Sequence, residues 1–308
     1  MRDAFARAIY RATKDHDNIF LLVADISPAA SLDAFRREFP SRLIDTGVAE
    51  QTMVGMAAGL ALRGFKPFAY TIATFTIYRP FEQVRDDLCY QNLPVTLVGV
   101  GAGISYPSLG GTHWAQEDVA IMSALPNMSV LAPCDPAELE SCVLACANAK
   151  GPIYLRLGKA GEPNLTELAP ESFHFGKLRR IKEGSGICLL SYGPIMKMTL
   201  NLAAEIESRS GGSVAVFSVH TLKPLDREGV ARVLHEFSIT VIIEEHSQCG
   251  GLGAQVKQIA WDSAARCKLY TFGLKDEYIH SYGTQDDLRR AHGLAPELIM
   301  KDILKHLP

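Results

Sequence analysis

A chain of 308 residues, 47% hydrophobic and 21% charged, has the composition of a folded globular protein and the length of about two domains. Collagen, coiled coil and wholesale disorder are excluded. Lys and Arg total 31 against 34 Asp and Glu, so no overall basic footprint argues for nucleic acid, and no apolar run reaches the roughly 18–20 residues of a membrane span.

The N-terminal stretch MRDAFARAIYRATKDHD predicts an amphipathic helix whose acidic residues do not fit a signal peptide. Short apolar runs at 19–24, 42–45, 67–71, 95–100, 129–132 and 153–156 predict strands. Between them, 51–63, 80–91, 117–124 and 136–149 predict helices. The periodicity lapses in GKAGEPNLTELAP, which reads as a linker over 159–172 between a first domain, 1–158, and a second, 173–308. Strands then resume at 187–191, 214–218, 240–244 and 268–272, with helices at 196–209, 226–237, 253–265, 285–292 and 295–307. This alternation predicts an α/β fold of two doubly wound domains with parallel sheets. Seven cysteines in mostly apolar contexts, with no secretory signal, point to a reduced, cytoplasmic chain. Cys142 and Cys146 read as core packing, since two thiols do not make a zinc site.

Four segments carry candidate chemistry. Asp45–Gln51, DTGVAEQ, follows a strand and opens a helix, the place where α/β sheets bind ligands. Glu50 there is either a reactive carboxyl or a residue that complements the helix dipole. In ATFTIYRPF, Phe75, Tyr78 and Phe81 recur every three residues, which suits a flat apolar slot or ordinary core. His113 closes GGTH, in a glycine-rich loop after a strand, a setting that favours function over packing. IIEEH followed by GGLG resembles a nucleotide-binding turn but lacks the GxGxxG spacing. There is no GxSxG, HExxH, P-loop or EF-hand.

Taken in order, GVAEQ, TF-x-x-Y, GGTH, LPNMSVLAPCDPAELE, YLRLGK, IIEEHSQCGGLG and the late GTQ resemble the transketolase family of thiamine diphosphate enzymes over nearly the whole chain. The resemblance implies a pyrimidine-binding domain followed by a transketolase-type carboxy-terminal domain. The family's GDG motif, which holds a divalent metal such as Mg2+ against the coenzyme's diphosphate, is absent. The chain therefore resembles the carboxy-terminal section of a split transketolase. Its implied partner is a separate diphosphate-binding subunit that carries the metal ligands, in an α2β2 heterotetramer. The implied activity is transfer of a two-carbon ketol unit from a ketose donor to an aldose acceptor. The alternative is a 2-oxo acid decarboxylating enzyme, like deoxyxylulose-phosphate synthase or the beta chain of pyruvate dehydrogenase.

The resemblance also assigns roles. Glu50 is the acid that hydrogen-bonds the coenzyme's pyrimidine nitrogen and drives it to the imino tautomer, for which a carboxyl must carry a proton; burial in an apolar pocket favours that form. Phe75, Tyr78 and Phe81 line the pyrimidine pocket, and Asp25 falls near the coenzyme. His113 lies near the substrate's carbonyl and hydroxyls, and Arg156 contacts a substrate phosphate. Two departures bear on substrate. Leu109 stands where the family has an acidic residue four positions before the histidine, and Val100-Gly101-Ala102 replaces a THD-type segment. Neither reads hydroxyls, which predicts a modified or less hydroxylated sugar in place of the standard pentose phosphates.

Overall fold

Six parallel strands form the body of the first sheet. They are β1 (Ile19–Val23), β2 (Leu43–Asp45), β3 (Lys66–Ile72), β4 (Thr96–Val100), β5 (Ser129–Leu131) and β6 (Ile153–Leu157). The structure is a computed structural model that describes residues 1–26 and 32–305. With a late strand, β10 (Thr221–Lys223), at one edge, the order is β10-β5-β6-β4-β3-β1-β2. The near-continuous burial of β3, β4 and β6 is what a parallel sheet covered on both faces requires. One face packs on α1 (Arg2–Asp15) and α7 (Pro136–Asn148), with Phe5, Ile9, Leu139 and Val143 against Phe68, Val98 and Leu155. The helix start at α7 is written in the sequence: Asp135 caps it, accepting from the Glu138 N–H, and Pro136 takes the first turn, where a missing N–H costs nothing.

The second sheet is built from β7 (Arg179–Lys182), β8 (Ile187–Ser191), β9 (Val214–Ser218), β11 (Ile239–Ser247) and β12 (Lys268–Leu274). Its order is β12-β11-β8-β9-β7, all parallel except the edge strand β7, which runs against β9. The helix α8 (Met196–Ser210) and α12 (Pro296–Leu304) supply Leu202, Ile206, Ile299 and Ile303 to one face. Both doubly wound α/β sheets are thus present, and every strand expected from the apolar runs is found. The two strands that periodicity missed are short or polar. RRIK at β7 sits at an edge and is only half buried.

The other, β10, changes the picture of two separate domains. It lies in the second half of the chain yet pairs antiparallel with β5, so the second domain completes the first sheet. A single core cluster runs through both, from Leu97 and Met122 to Leu190, Phe217, Leu222 and Leu252. The stretch expected as a linker carries no helix or strand but is tied down. Asp135 Oδ2 accepts from the N–H groups of Leu165 and Thr166 at 2.7 Å each and from Thr166 Oγ1 at 2.9 Å. No described helix is long and apolar enough to cross a membrane.

The GGLG turn is occupied by the chain itself. Glu244 at the end of β11 accepts from the N–H groups of Leu252 and Gly253, each at 2.8 Å, at the start of α10 (Leu252–Asp262). A carboxylate thus fills the positive end of the helix where a phosphate would otherwise sit. A Cβ at Gly251 would lie 2.5 Å from Glu244 Oε2, which explains the glycine.

Candidate active site

The site is built at the carboxyl ends of β1 to β4. After β2 the chain turns sharply. Asp45 Oδ1 accepts from the Gly47 N–H at 3.0 Å, Gly47 takes φ +67°, and the Ala49 N–H donates back to Gly47 O. A left-handed residue at this point is the reason for glycine. The turn delivers Glu50 as the first residue of α3 (Glu50–Leu62), where its side chain is only 4% exposed.

The Glu50 carboxylate faces a cation. Arg79 Nη1 lies 2.9 Å from Oε1 and 3.1 Å from Oε2. The same guanidinium sits over the Phe75 ring, 4.1 Å from its centroid. Phe75 belongs to α4 (Ala73–Ile77), the short helix that directly follows β3, and Gln51 Nε2 donates to Arg79 O across the gap. Phe75 also meets the His113 imidazole edge to face, with centroids 5.1 Å apart.

His113 is held by its loop. Its N–H donates to Gly110 O, its Nδ1 lies 2.9 Å from Thr112 Oγ1, and Thr74 Oγ1 donates to Thr112 O. Tyr106 also packs on the imidazole edge to face, with centroids 5.8 Å apart. Gly101, at φ +87°, makes room for that ring, since a Cβ there would lie 2.0 Å from it. Partial burial, with the Arg79 charge second, lowers the His113 pKa below its ordinary value.

The second domain anchors the same loop. Glu245 Oε1 accepts from the Ile104 N–H at 2.9 Å, and its carboxylate also takes bonds from Gln285 and Arg289. Tyr278 lies against Gly111 and donates to Glu117 at 3.3 Å.

The structure thus brings Glu50, Phe75 and His113 together. Tyr78 and Phe81 pack against the core cluster that runs through both domains. Burial together with the Asp118 and Glu117 carboxylates pushes the pKa of the Tyr78 hydroxyl well up. Pro80 separates α4 from the next helical turn, Phe81–Gln83, so the three aromatics do not follow one helix face. Asp25 is exposed at the end of β1 with φ +48°, its N–H donating to Asp45 Oδ1.

Arg156 is a correction. It is 2% exposed, its Nε donates to Asp118 Oδ2 at 2.7 Å, and its Nη2 donates to the carbonyls of Glu245 and Ala115. A guanidinium so enclosed is not offered to a substrate phosphate; it joins the two domains. Lys159, three residues on and exposed, is a second cation near the site, with Nζ 5.1 Å from the centroid of the Tyr106 ring, which also packs against His113. It opens onto a cleft of about 810 Å³ lined also by Ser105, Lys197 and Arg289. Among the described residues no group of three or more His, Cys, Asp or Glu side chains is placed to hold a metal ion.

Arg79, Tyr106, Lys159 and Glu245 are the residues that sequence reasoning passed over. Arg79, Lys159 and Glu245 lay inside quoted motifs, but nothing in the spacing pairs Arg79 with a carboxylate 29 residues away.

As an arrangement, a buried carboxylate beside an aromatic face can hold a flat nitrogen heterocycle, and an imidazole one ring away can exchange protons with what that heterocycle carries. Residues 1–162 match the transketolase pyrimidine binding domain, and residues 176–299 match the transketolase C-terminal domain. The chain is 34% identical to a putative transketolase C-terminal section of Methanocaldococcus jannaschii, over 100% of this chain and 96% of that one. It is 32% identical to an apulose-4-phosphate transketolase subunit of Actinobacillus succinogenes, covering 94% and 92%. It is 33% identical to a 6-deoxy-6-sulfo-D-fructose transketolase subunit of Clostridium sp. strain MSTE9, covering 98% and 92%. A split-gene transketolase solved as an inactive beta4 tetramer superposes with a TM-score of 0.86 at 31% identity, covering 99% and 97%. The chain belongs to the transketolase family, and it comprises that family's pyrimidine-binding and carboxy-terminal domains.

Proposed function

We propose that this chain is the carboxy-terminal subunit of a split, thiamine diphosphate-dependent transketolase that moves a two-carbon ketol unit from a ketose donor to an aldose acceptor. The observation that carries the reading is the buried Glu50 carboxylate at the head of α3, joined through the Arg79 guanidinium to the Phe75 ring, which His113 meets edge to face. The residues present fit one end of the coenzyme: an acid with both oxygens already engaged by a planar cation, over an aromatic face, suits a planar aminopyrimidine. When bound, thiamine diphosphate supplies a thiazolium carbon acid that serves as the nucleophile. Glu50 holds the ring nitrogen through a proton on its carboxyl. Phe75 covers the ring and keeps water away. His113, with its depressed pKa, is neutral at pH 7 and can accept or return a proton at the substrate's oxygens.

Mg2+ and the diphosphate belong, in this reading, to a partner subunit that carries the diphosphate-binding domain, in an α2β2 complex that works in the cytoplasm. Lys159 takes the place first expected for Arg156 and receives the anionic end of the sugar. Relatives named for a sugar phosphate and a sulfosugar support an anionic substrate. The half-exposed Leu109 and the buried Val100 and Ala102, which depart from the family's hydroxyl-reading side chains, support a less hydroxylated one.

A second reading, decarboxylation of a 2-oxo acid, is favoured by relatives of another name. The chain is 29% identical to a 1-deoxy-D-xylulose-5-phosphate synthase of Clostridium perfringens over 98% of its own length and 48% of that protein's. The complex reconstituted with its partner subunit separates the two. Ketol transfer to an aldose without release of carbon dioxide is expected, and stoichiometric carbon dioxide from a 2-oxo acid would replace it with the second reading. Glu50→Gln and Glu50→Ala should each abolish turnover in that complex; full activity of both removes Glu50 from catalysis.

A further inference from the structure

The Glu50 carboxylate is already occupied in the chain on its own. Arg79 donates to both of its oxygens and lays its guanidinium over Phe75. The guanidinium is flat, it presents N–H donors, and it stacks on the same ring that would cover a bound pyrimidine. These are the two contacts an aminopyrimidine would make here, one to the acid and one to the aromatic face.

We propose that Arg79 is an internal stand-in for the coenzyme's pyrimidine: it occupies the Glu50–Phe75 site in the unliganded subunit and is displaced when the coenzyme binds. The inference rests on the reading of Glu50 given above. Three features argue for displacement over a fixed structural pair. First, a guanidinium and a heterocycle cannot share one ring face and one carboxylate. Second, an ion-paired carboxylate is acceptor-only and has no proton for a ring nitrogen. Third, Arg79 is 48% exposed while Glu50 is 4% exposed, so the cation has a free way out and the acid does not. Its carbonyl stays fixed by Gln51, which confines the change to the side chain.

The pair also has a purpose before assembly. A carboxylate buried without a partner is costly, and Arg79 removes that cost until the coenzyme takes over. Arg79 is therefore a positioning residue that competes with the coenzyme at rest.

The test is calorimetric titration of thiamine diphosphate with Mg2+ into the complex reconstituted with the partner subunit. Arg79→Ala should bind the coenzyme about twofold to fivefold more tightly than wild type, the range a half-exposed ion pair allows. Arg79→Lys, which keeps the charge but not the flat fork, should fall between them. Equal or weaker binding by Arg79→Ala overturns the proposal. If that variant does not fold, Arg79→Gln provides the same comparison. A second readout needs no turnover. In the Glu50→Gln background, Arg79→Ala should give no further gain in affinity, and an undiminished gain there also overturns the proposal. Failure of the underlying reading looks different, because Glu50→Ala would then leave turnover intact.

Discussion

Arg156 and Asp118 meet at 2.7 Å with both side chains essentially sealed from solvent, and the same guanidinium reaches across to Glu245 O in the second domain. Tyr154 adds its hydroxyl to the same Asp118 oxygen at 2.8 Å. Breaking such a pair strands a buried charge. Asp118→Ala should therefore lower the stability of the chain by about 3–5 kcal/mol, read by urea denaturation. The two domains should unfold in one transition in the wild type. A loss within about 0.5 kcal/mol, the scatter of an ordinary surface substitution, would show that the pair does not hold the domains together.

Lys159 and Arg156 separate by function if Lys159 meets the substrate's anion. Lys159→Ala should raise KM for an anionic sugar by about tenfold, the loss of one charge-assisted contact, and leave a neutral sugar unaffected. Steady-state kinetics with a matched pair of substrates checks this. An equal effect on both sugars would locate Lys159 outside the recognition of charge.

Glu245 couples the second domain to the histidine loop. Glu245→Gln should weaken its hold on Arg289 and the Ile104 N–H, so amide exchange at residues 103–106 should speed up. The kcat should fall severalfold while coenzyme affinity stays nearer wild type, because Glu50 and Phe75 are carried by α3 and α4, outside that loop. Unchanged exchange at Ile104 would sink this coupling.

His220 makes stability depend on pH. Its ring is buried against Phe173, and burial, with the charges of Arg179 and His174, pushes its pKa down to about 3. The unfolded chain takes up its proton near 6.5, so the folded state binds fewer protons below that value. The contribution is complete above pH 6.5 and is lost as pH falls toward 3, at up to about 1.4 kcal/mol per pH unit. Denaturation midpoints measured between about pH 7 and pH 4 should fall more steeply for the wild type than for His220→Phe. Parallel slopes would assign the acid sensitivity elsewhere.

How much of this was legible beforehand depends on the range of the interaction. Apolar runs and helix starts are local, so the parallel strands and the position of Glu50 at a helix head could be read from the chain. The missed strand β10 is three residues long, with no alternation to detect, and it exists because β5 leaves an edge for it. The glycine turn at GGLG looked like a phosphate cradle because its spacing is half right. Only the fold shows Glu244 filling it.

The family and the two α/β halves are carried by contiguous motifs, as are the acid, aromatic and histidine of the candidate site, so the linear order of residues was enough to single them out. What those residues touch was settled in three dimensions. Folding sealed Arg156 between the domains, turned Tyr78 toward the core, placed Lys159 beside Tyr106 and set Arg79 on Glu50. Those outcomes depend on packing between segments tens of residues apart, where burial and charge pairing, not spacing along the chain, choose the partner.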